Sequence, residues 1–377
     1  MRIGWPHVAL GLAGLAVVAA GFWWFAPYNV AASQRHLPPV RAFLHSYMDN
    51  AVGRRAAALD PPDWFRADDP ALIRLGAAHF ATGCATCHGA PGLPRNAIVT
   101  AMLPEPTLIE ETEHTTREFY WLARHGLKYT GMPAWAGQGR DDEPWAVAAF
   151  LSRYSALDPD SYRELAHEGG SAAPVGAAVA FGGMRESSRS TIDNCARCHG
   201  ADGMGRDGTA PKLAGQSEGY LLAALDAYAA DRRQSGFMEP VAIALTPQER
   251  ADLARRYSAM AADLGTGQPG RIAGDVLRGR LLATHGDEHD ELPSCMSCHG
   301  AGKEPPGLAS VPRIAGQDAR WLVTWLRLWR DGPIPDGPAA RRMAAAARNL
   351  SDRDIADLAA FYSAGAKTEQ AGEQTAP

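Results

Sequence analysis

Cys84-Ala85-Thr86-Cys87-His88, Cys195-Ala196-Arg197-Cys198-His199 and Cys295-Met296-Ser297-Cys298-His299 are three copies of one pattern, C-x-x-C-H. Together they use all six cysteines of the chain. Residues three apart on a helical turn share a face, so the two thiols of each copy can bond to the two vinyl groups of one porphyrin. The next residue, His, then lies under the ring, where an imidazole nitrogen reaches the iron. Each copy therefore reads as a c-type haem attachment site. Structural zinc would need two cysteine pairs close together, or a pair beside a His pair. A thioredoxin-like redox pair lacks the His and usually occurs once. Structural disulfides use varied spacings rather than three identical ones.

The 377 residues suggest roughly two to four domains. Composition is that of a folded protein, 46% hydrophobic and 21% charged. The net charge of −5 is mild, and no basic run points to nucleic acid. Alanine and glycine are abundant and β-branched runs scarce, which favours helices joined by long loops.

Pro6 to Pro27 carries no charge, and Val8–Phe25 is nearly all apolar. Such a stretch is long enough to cross a bilayer as a helix. Trp5 lies at one end and Trp23, Trp24 and Tyr28 at the other, as an aromatic belt would. Arg2 is the only charge before it, so the positive-inside rule predicts a cytoplasmic N-terminus and an exported remainder. Asn29-Val30-Ala31-Ala32 is a poor cleavage site and the apolar run is long for a signal peptide, so an uncleaved anchor is expected.

The repeats extend beyond the cysteines. Each motif is followed by glycine: Gly89, Gly200, Gly300. The second and third copies share Pro211-Lys212-Leu213-Ala214-Gly215-Gln216 and Pro312-Arg313-Ile314-Ala315-Gly316-Gln317. Aromatic, helix-like stretches follow at Tyr220–Asp231 and Trp321–Asp331, then Met238 and Met343. Thr246 and Ser351 then mark the start of a last helix as N-caps; Glu249 completes a capping box in one copy and Asp354 nearly does in the other. The first copy is looser, with helices predicted over Phe119–Leu127 and Asp142–Tyr154 and with Met132 between them. A further helix is predicted before each motif, over Ala71–Ala81, Val175–Gly182 and Gly274–Ala283. Boundaries are expected near Ser161–Pro174 and Gly265–Gly274.

This order resembles the class I cytochrome c fold. Residues of about 174–365 resemble diheme periplasmic cytochromes. The first copy, in Cys84–His88 and Tyr129-Thr130-Gly131-Met132-Pro133, resembles the single-haem domain of membrane-bound respiratory electron carriers. The resemblance implies an all-α protein of three tandem class I cytochrome c domains after a transmembrane helix. Its parts are an anchor (1–30), domains over 31–165, 166–266 and 267–366, and a disordered tail (367–377). It implies three covalent haem c groups, held by Cys84, Cys87, Cys195, Cys198, Cys295 and Cys298. Their iron ligands would be His88 with Met132, His199 with Met238, and His299 with Met343, since thioether sulfur raises the potential. It also implies a proline carbonyl accepting from each proximal His: Pro211, Pro312, and Pro104 or Pro106 in the first copy.

His285 and His289 are alternative imidazole ligands, and Met102 is the next candidate after Met132 in the first copy. Met204, Met260 and Met296 fall elsewhere in the repeat and read as packing residues. Trp135, Trp321, Trp325 and Trp329 read as haem-pocket or domain-contact residues, the last three as one helix face that is a core stripe.

Six-coordinate irons leave no open position for a substrate, and no catalytic fingerprint is present. The expected function is therefore a carrier and not an enzyme. It would be held at the bacterial inner membrane with its haem domains in the periplasm. It would pass electrons between a quinol-oxidising complex or dehydrogenase and a terminal oxidase or soluble cytochrome, with redox proteins as partners and no small-molecule substrate. The alternative is a haem enzyme, a peroxidase or sulfur-compound oxidase, with one open-site haem.

Overall fold

A computed structural model describes residues 4–95, 97–167, 188–262, 272–300, 310–332 and 337–365. The described residues form helices and two isolated bridges, Ala90–Leu93 and Asp287–Leu292, with no strand. The predicted helix over Val175–Gly182, most of the Gly265–Gly274 boundary and the 367–377 tail lie outside the described residues.

The first helix, Trp5–Phe25, buries none of its residues and is the one helix among those described long and apolar enough to cross a membrane. Each repeat then builds its own core. In the first, Pro70–His79 crosses Glu143–Leu151, and a Cβ on Gly76 would stand 2.1 Å from the Ala146 carbonyl oxygen. In the third, Val276–His285 crosses Asp352–Ala364, and a Cβ on Gly279 would stand 2.0 Å from the Asp357 oxygen. In both, the helix before the motif meets the last helix at a glycine, because only a residue without a side chain permits that approach. The second core gathers Leu221, Leu245, Leu253, Ala254 and Tyr257, from Glu218–Ala229 and Pro247–Ser258 and the loop between.

The last helices of repeats two and three start as their sequence predicts. Thr246 and Ser351 accept from the Glu249 and Asp354 amides, and those carboxylates bond back to the cap amides. Thr115 and Glu118 close a third such box on the middle helix of the first repeat, Thr116–His125.

Two helices go beyond the sequence reading. Pro38–Ala57 seats Val52 and Ala56 in the first domain and leaves Phe43, Leu44 and Tyr47 exposed. Pro159–Ala166, capped by the Asp158 carboxylate, buries Tyr162 and runs into the stretch read as a linker. Before the first motif, Phe80–Cys84 widens into a π-turn, so the approach to Cys84 is not a plain α-helix.

The tryptophan stripe of Ala319–Asp331 is part core and part domain contact: Trp321 and Trp329 pack against the third core, and Trp325 meets other repeats. Trp321, Trp325 and Trp329 do line one face, with ring centroids 6.0 and 6.2 Å apart, but all three are only half-buried. Trp325 meets both other domains: the guanidiniums of Arg140 and Arg233 lie 5.2 and 4.2 Å from its ring centre.

Candidate functional site

Each motif occupies a short helical turn that stops at its glycine. Gly89, Gly200 and Gly300 all have φ near +70 to +77, where a side chain would be strained. The turn aims the motif His at the loop that follows. His199 Nδ1 lies 2.9 Å from the Pro211 carbonyl oxygen, and His299 Nδ1 lies 2.9 Å from that of Pro312. In the first repeat the acceptor is neither Pro104 nor Pro106 but Thr107, 2.8 Å from His88 Nδ1. The Pro106 carbonyl is taken by Arg95. In all three, Nδ1 carries the proton and donates it to a carbonyl, leaving the Nε2 lone pair free for a metal. Burial pushes each of these imidazoles down from the ordinary histidine range, against the raising effect of the carbonyl bond, which keeps them neutral.

No disulfide joins the six cysteines, so both sulfurs of each motif remain for thioether bonds. Among the described residues no three His, Cys, Asp or Glu side chains converge as a metal-ligand set.

The residues present fit a haem. Cys195, Cys198, His199 and Met238 of the second domain line one cavity of about 1590 Å³, which residues of the first and third, such as His79 and Trp325, line as well. Leu221, Val241 and Leu253 are among its apolar lining. Arg233, on the wall, has its Nε buried without a partner, and so does Arg313 beside the third motif's Pro312. A buried, unpaired guanidinium N–H calls for an anion, and a haem carries two carboxylates. Met204 also lines this cavity, whereas Met260 and Met296 pack against cores as expected.

In the third domain Met343, on Pro338–Ala347, and Cys295 pack against the same core. In the first, Met132 lies half-buried in a loop held by Thr130, whose hydroxyl accepts from the Met132 amide at 3.1 Å. Met102 is its neighbour: a Cβ on Gly131 would stand 2.3 Å from the Met102 methyl carbon. His285 and His289 are exposed.

The contacts between repeats were not legible in the sequence. Glu143, on the last helix of the first domain, is buried, and its carboxylate takes bonds from Ser235 and Gly236 of the second. His79 is enclosed between the Trp135 and Phe237 rings, at 4.8 and 4.7 Å, and burial pushes it down to about 4. Arg74 pairs with Asp207 at 2.6 Å, and Arg320 of the third domain with Asp69 of the first at 2.7 Å.

A helical unit, built three times around a histidine that donates to a carbonyl and two cysteines three residues apart, defines a c-type cytochrome. Residues 188–255 and 284–363 match the cytochrome c family model, and residues 71–151 match that of cytochrome c oxidase, cbb3-type, subunit III. The chain is 35% identical over 170 residues to a thiosulfate dehydrogenase electron acceptor of Stutzerimonas stutzeri, covering 45% of this chain and 77% of that protein. It is 33% identical over 168 residues to cytochrome c4 of Thiocapsa roseopersicina, covering 44% and 84%. It is 29% identical over 167 residues to cytochrome c4 of Pseudomonas aeruginosa, covering 44% and 81%. The chain belongs to the class I cytochrome c family, with repeats of the diheme kind, and its domains imply covalently bound haem c.

Proposed function

We propose that this chain is a membrane-anchored periplasmic electron carrier with three covalent haem c groups, one per repeat, and three domains over 31–165, 166–266 and 267–366. The observation that carries the reading is the threefold recurrence of a motif His whose Nδ1 is committed to a backbone carbonyl. Bound haem c supplies a one-electron iron couple at each repeat. Cys84, Cys87, Cys195, Cys198, Cys295 and Cys298 would fasten it, and His88, His199 and His299 would hold its iron through Nε2. Met132, Met238 and Met343 would add sulfur ligands, which would favour reduced iron and leave no position for a substrate. Cavity walls such as Leu221 and Leu253 keep water from the second site.

The helix Trp5–Phe25 supports an inner-membrane anchor, which keeps the carrier beside membrane partners. The match of residues 71–151 to an oxidase subunit supports a terminal oxidase as acceptor, a soluble cytochrome being the other. The likeness to a thiosulfate dehydrogenase electron acceptor supports a dehydrogenase as donor, beside a quinol-oxidising complex. Addition of cyanide and carbon monoxide to the purified protein tests the reading. A six-coordinate carrier leaves both spectra unchanged at all three haems; prompt adduct formation at one haem favours the enzyme alternative.

A further inference from the structure

We infer that the first domain holds the iron ligand of the second: Glu143 is a positioning residue for Met238. The inference rests on the reading of Met238 as a haem ligand. Four donors converge on the Glu143 carboxylate. Trp135 Nε1 gives to Oε2 at 2.9 Å, and Arg140 pairs with Oε1 at 2.9 Å, both from the first domain. Ser235 Oγ gives to Oε1 and the Gly236 amide to Oε2, each at 2.6 Å, both from the second. The form that satisfies all four donors is the anion, an acceptor at every lone pair, although burial pushes the group's pKa up, with Arg140 opposing the rise and the Asp142 carboxylate adding to it.

The chain of bonds continues to Met238. Ser235 Oγ, having donated to Glu143, accepts from the Met238 amide at 3.1 Å and from the Phe237 amide at 3.3 Å. The Ser235 amide bonds the Glu239 carboxylate at 2.6 Å. One fully buried hydroxyl thus joins the carboxylate of one domain to the backbone of the methionine of the next. The intervening residues cannot slide. A Cβ on Gly236 would stand 2.2 Å from Trp135 Nε1, and the Phe237 ring packs 5.4 Å from the Trp135 ring. Met238 itself faces the cavity that holds His199. A turn gripped this closely sets where the thioether sulfur stands, and supporting contacts of this kind orient a ligand and tune its metal.

Glu143→Gln tests it. Either orientation of the amide puts its NH2 against donors, so the grip on Ser235–Gly236 loosens while the side chain's volume is kept. Ser235→Ala cuts the same chain at its other end and leaves every residue of the first domain as it is. The readouts are the potential of each haem and the ring-current-shifted methyl resonances of iron-bound methionines in the reduced protein, with Met238→His assigning the signal of the second haem. Both variants are expected to move that one signal and lower that one potential, leaving the other two haems as they are. Should Glu143→Gln fail to mature with its haems, Ser235→Ala decides alone. An unmoved second-haem signal and potential overturn the inference. If Met238→His removes no methionine signal, the assignment of the ligand fails instead.

Discussion

Gln216 and Gln317 hold the same place in consecutive repeats, and each makes two hydrogen bonds to the backbone of the other's loop. Gln216 Nε2 donates to the Arg313 carbonyl at 2.9 Å and its Oε1 accepts from the Arg313 amide at 2.7 Å. Gln317 does the same to Lys212, at 2.8 and 2.9 Å. Arg313 and Lys212 follow Pro312 and Pro211, the residues whose carbonyls receive the motif histidines. The docking of the second and third domains is thereby tied to the loops that orient both imidazoles.

Gln216→Ala or Gln317→Ala should each weaken that docking by about 1–3 kcal/mol, the cost of leaving a buried amide and carbonyl unmatched. Gln216→Glu should recover part of the loss, because a carboxylate still accepts from the Arg313 amide but cannot donate to its carbonyl. Thermal unfolding of the haem-loaded protein checks this; identical melting profiles for both alanine variants would contradict it.

Acid should loosen the first domain before it reaches the carboxylates. Burial holds His79 at about 4 against an ordinary 6.5. Between those values the unfolded chain takes up a proton that the native chain refuses. The native state therefore keeps its full stability above about pH 6.5 and loses it progressively down to about pH 4, by up to about 3 kcal/mol. Burial and Arg197 push His167 down to about 4 as well, adding to the same slope. His79→Phe should flatten the pH dependence of unfolding in this window in part. An unchanged slope would show that His79 does not titrate as its enclosure requires.

Met132→His should leave the haem attached, since the thioethers remain, and lower that haem's potential, because imidazole favours oxidised iron relative to thioether. Met102→Ala should leave the potential nearly unchanged although the two methionines are neighbours. Potentiometric titration of both variants separates them; the opposite pattern would move the ligand to Met102.

Deleting residues 1–28 behind a cleavable export signal should release a soluble protein that keeps its haems. The helix Trp5–Phe25 contributes nothing to the cores, as none of it is buried. Fractionation of cell extracts checks this, and a truncated protein that still sediments with membranes would contradict the anchor.

The motifs and the Thr246 and Ser351 helix caps were legible because each is set by neighbours a few residues away, and the paired prolines because the family resemblance implied them. The Thr107 acceptor was not: the first loop differs in composition from the other two, and the analogy to proline pointed at Pro106, which Arg95 occupies. Pro159–Ala166 overlaps the boundary expected near Ser161–Pro174 from its Gly, Ser, Ala and Glu content, yet Asp158 caps the helix and Tyr162 is buried. Glu143 gave no signal either. Its partners Ser235 and Gly236 lie in the next repeat, and no periodicity in a sequence records which face of one domain meets another. Trp325 was read as a haem-pocket or domain-contact residue, but its guanidinium partners, which come from the other two domains, were not legible for the same reason.

The central claim is three haems on three motifs, and the mass of the denatured protein tests it most directly. Thioether bonds survive unfolding, so the account predicts a mass greater than that of the polypeptide by three haem groups, falling by one group when the two cysteines of any single motif are replaced by serine. A mass greater by two or fewer in the unaltered protein, with the polypeptide otherwise intact, would contradict it.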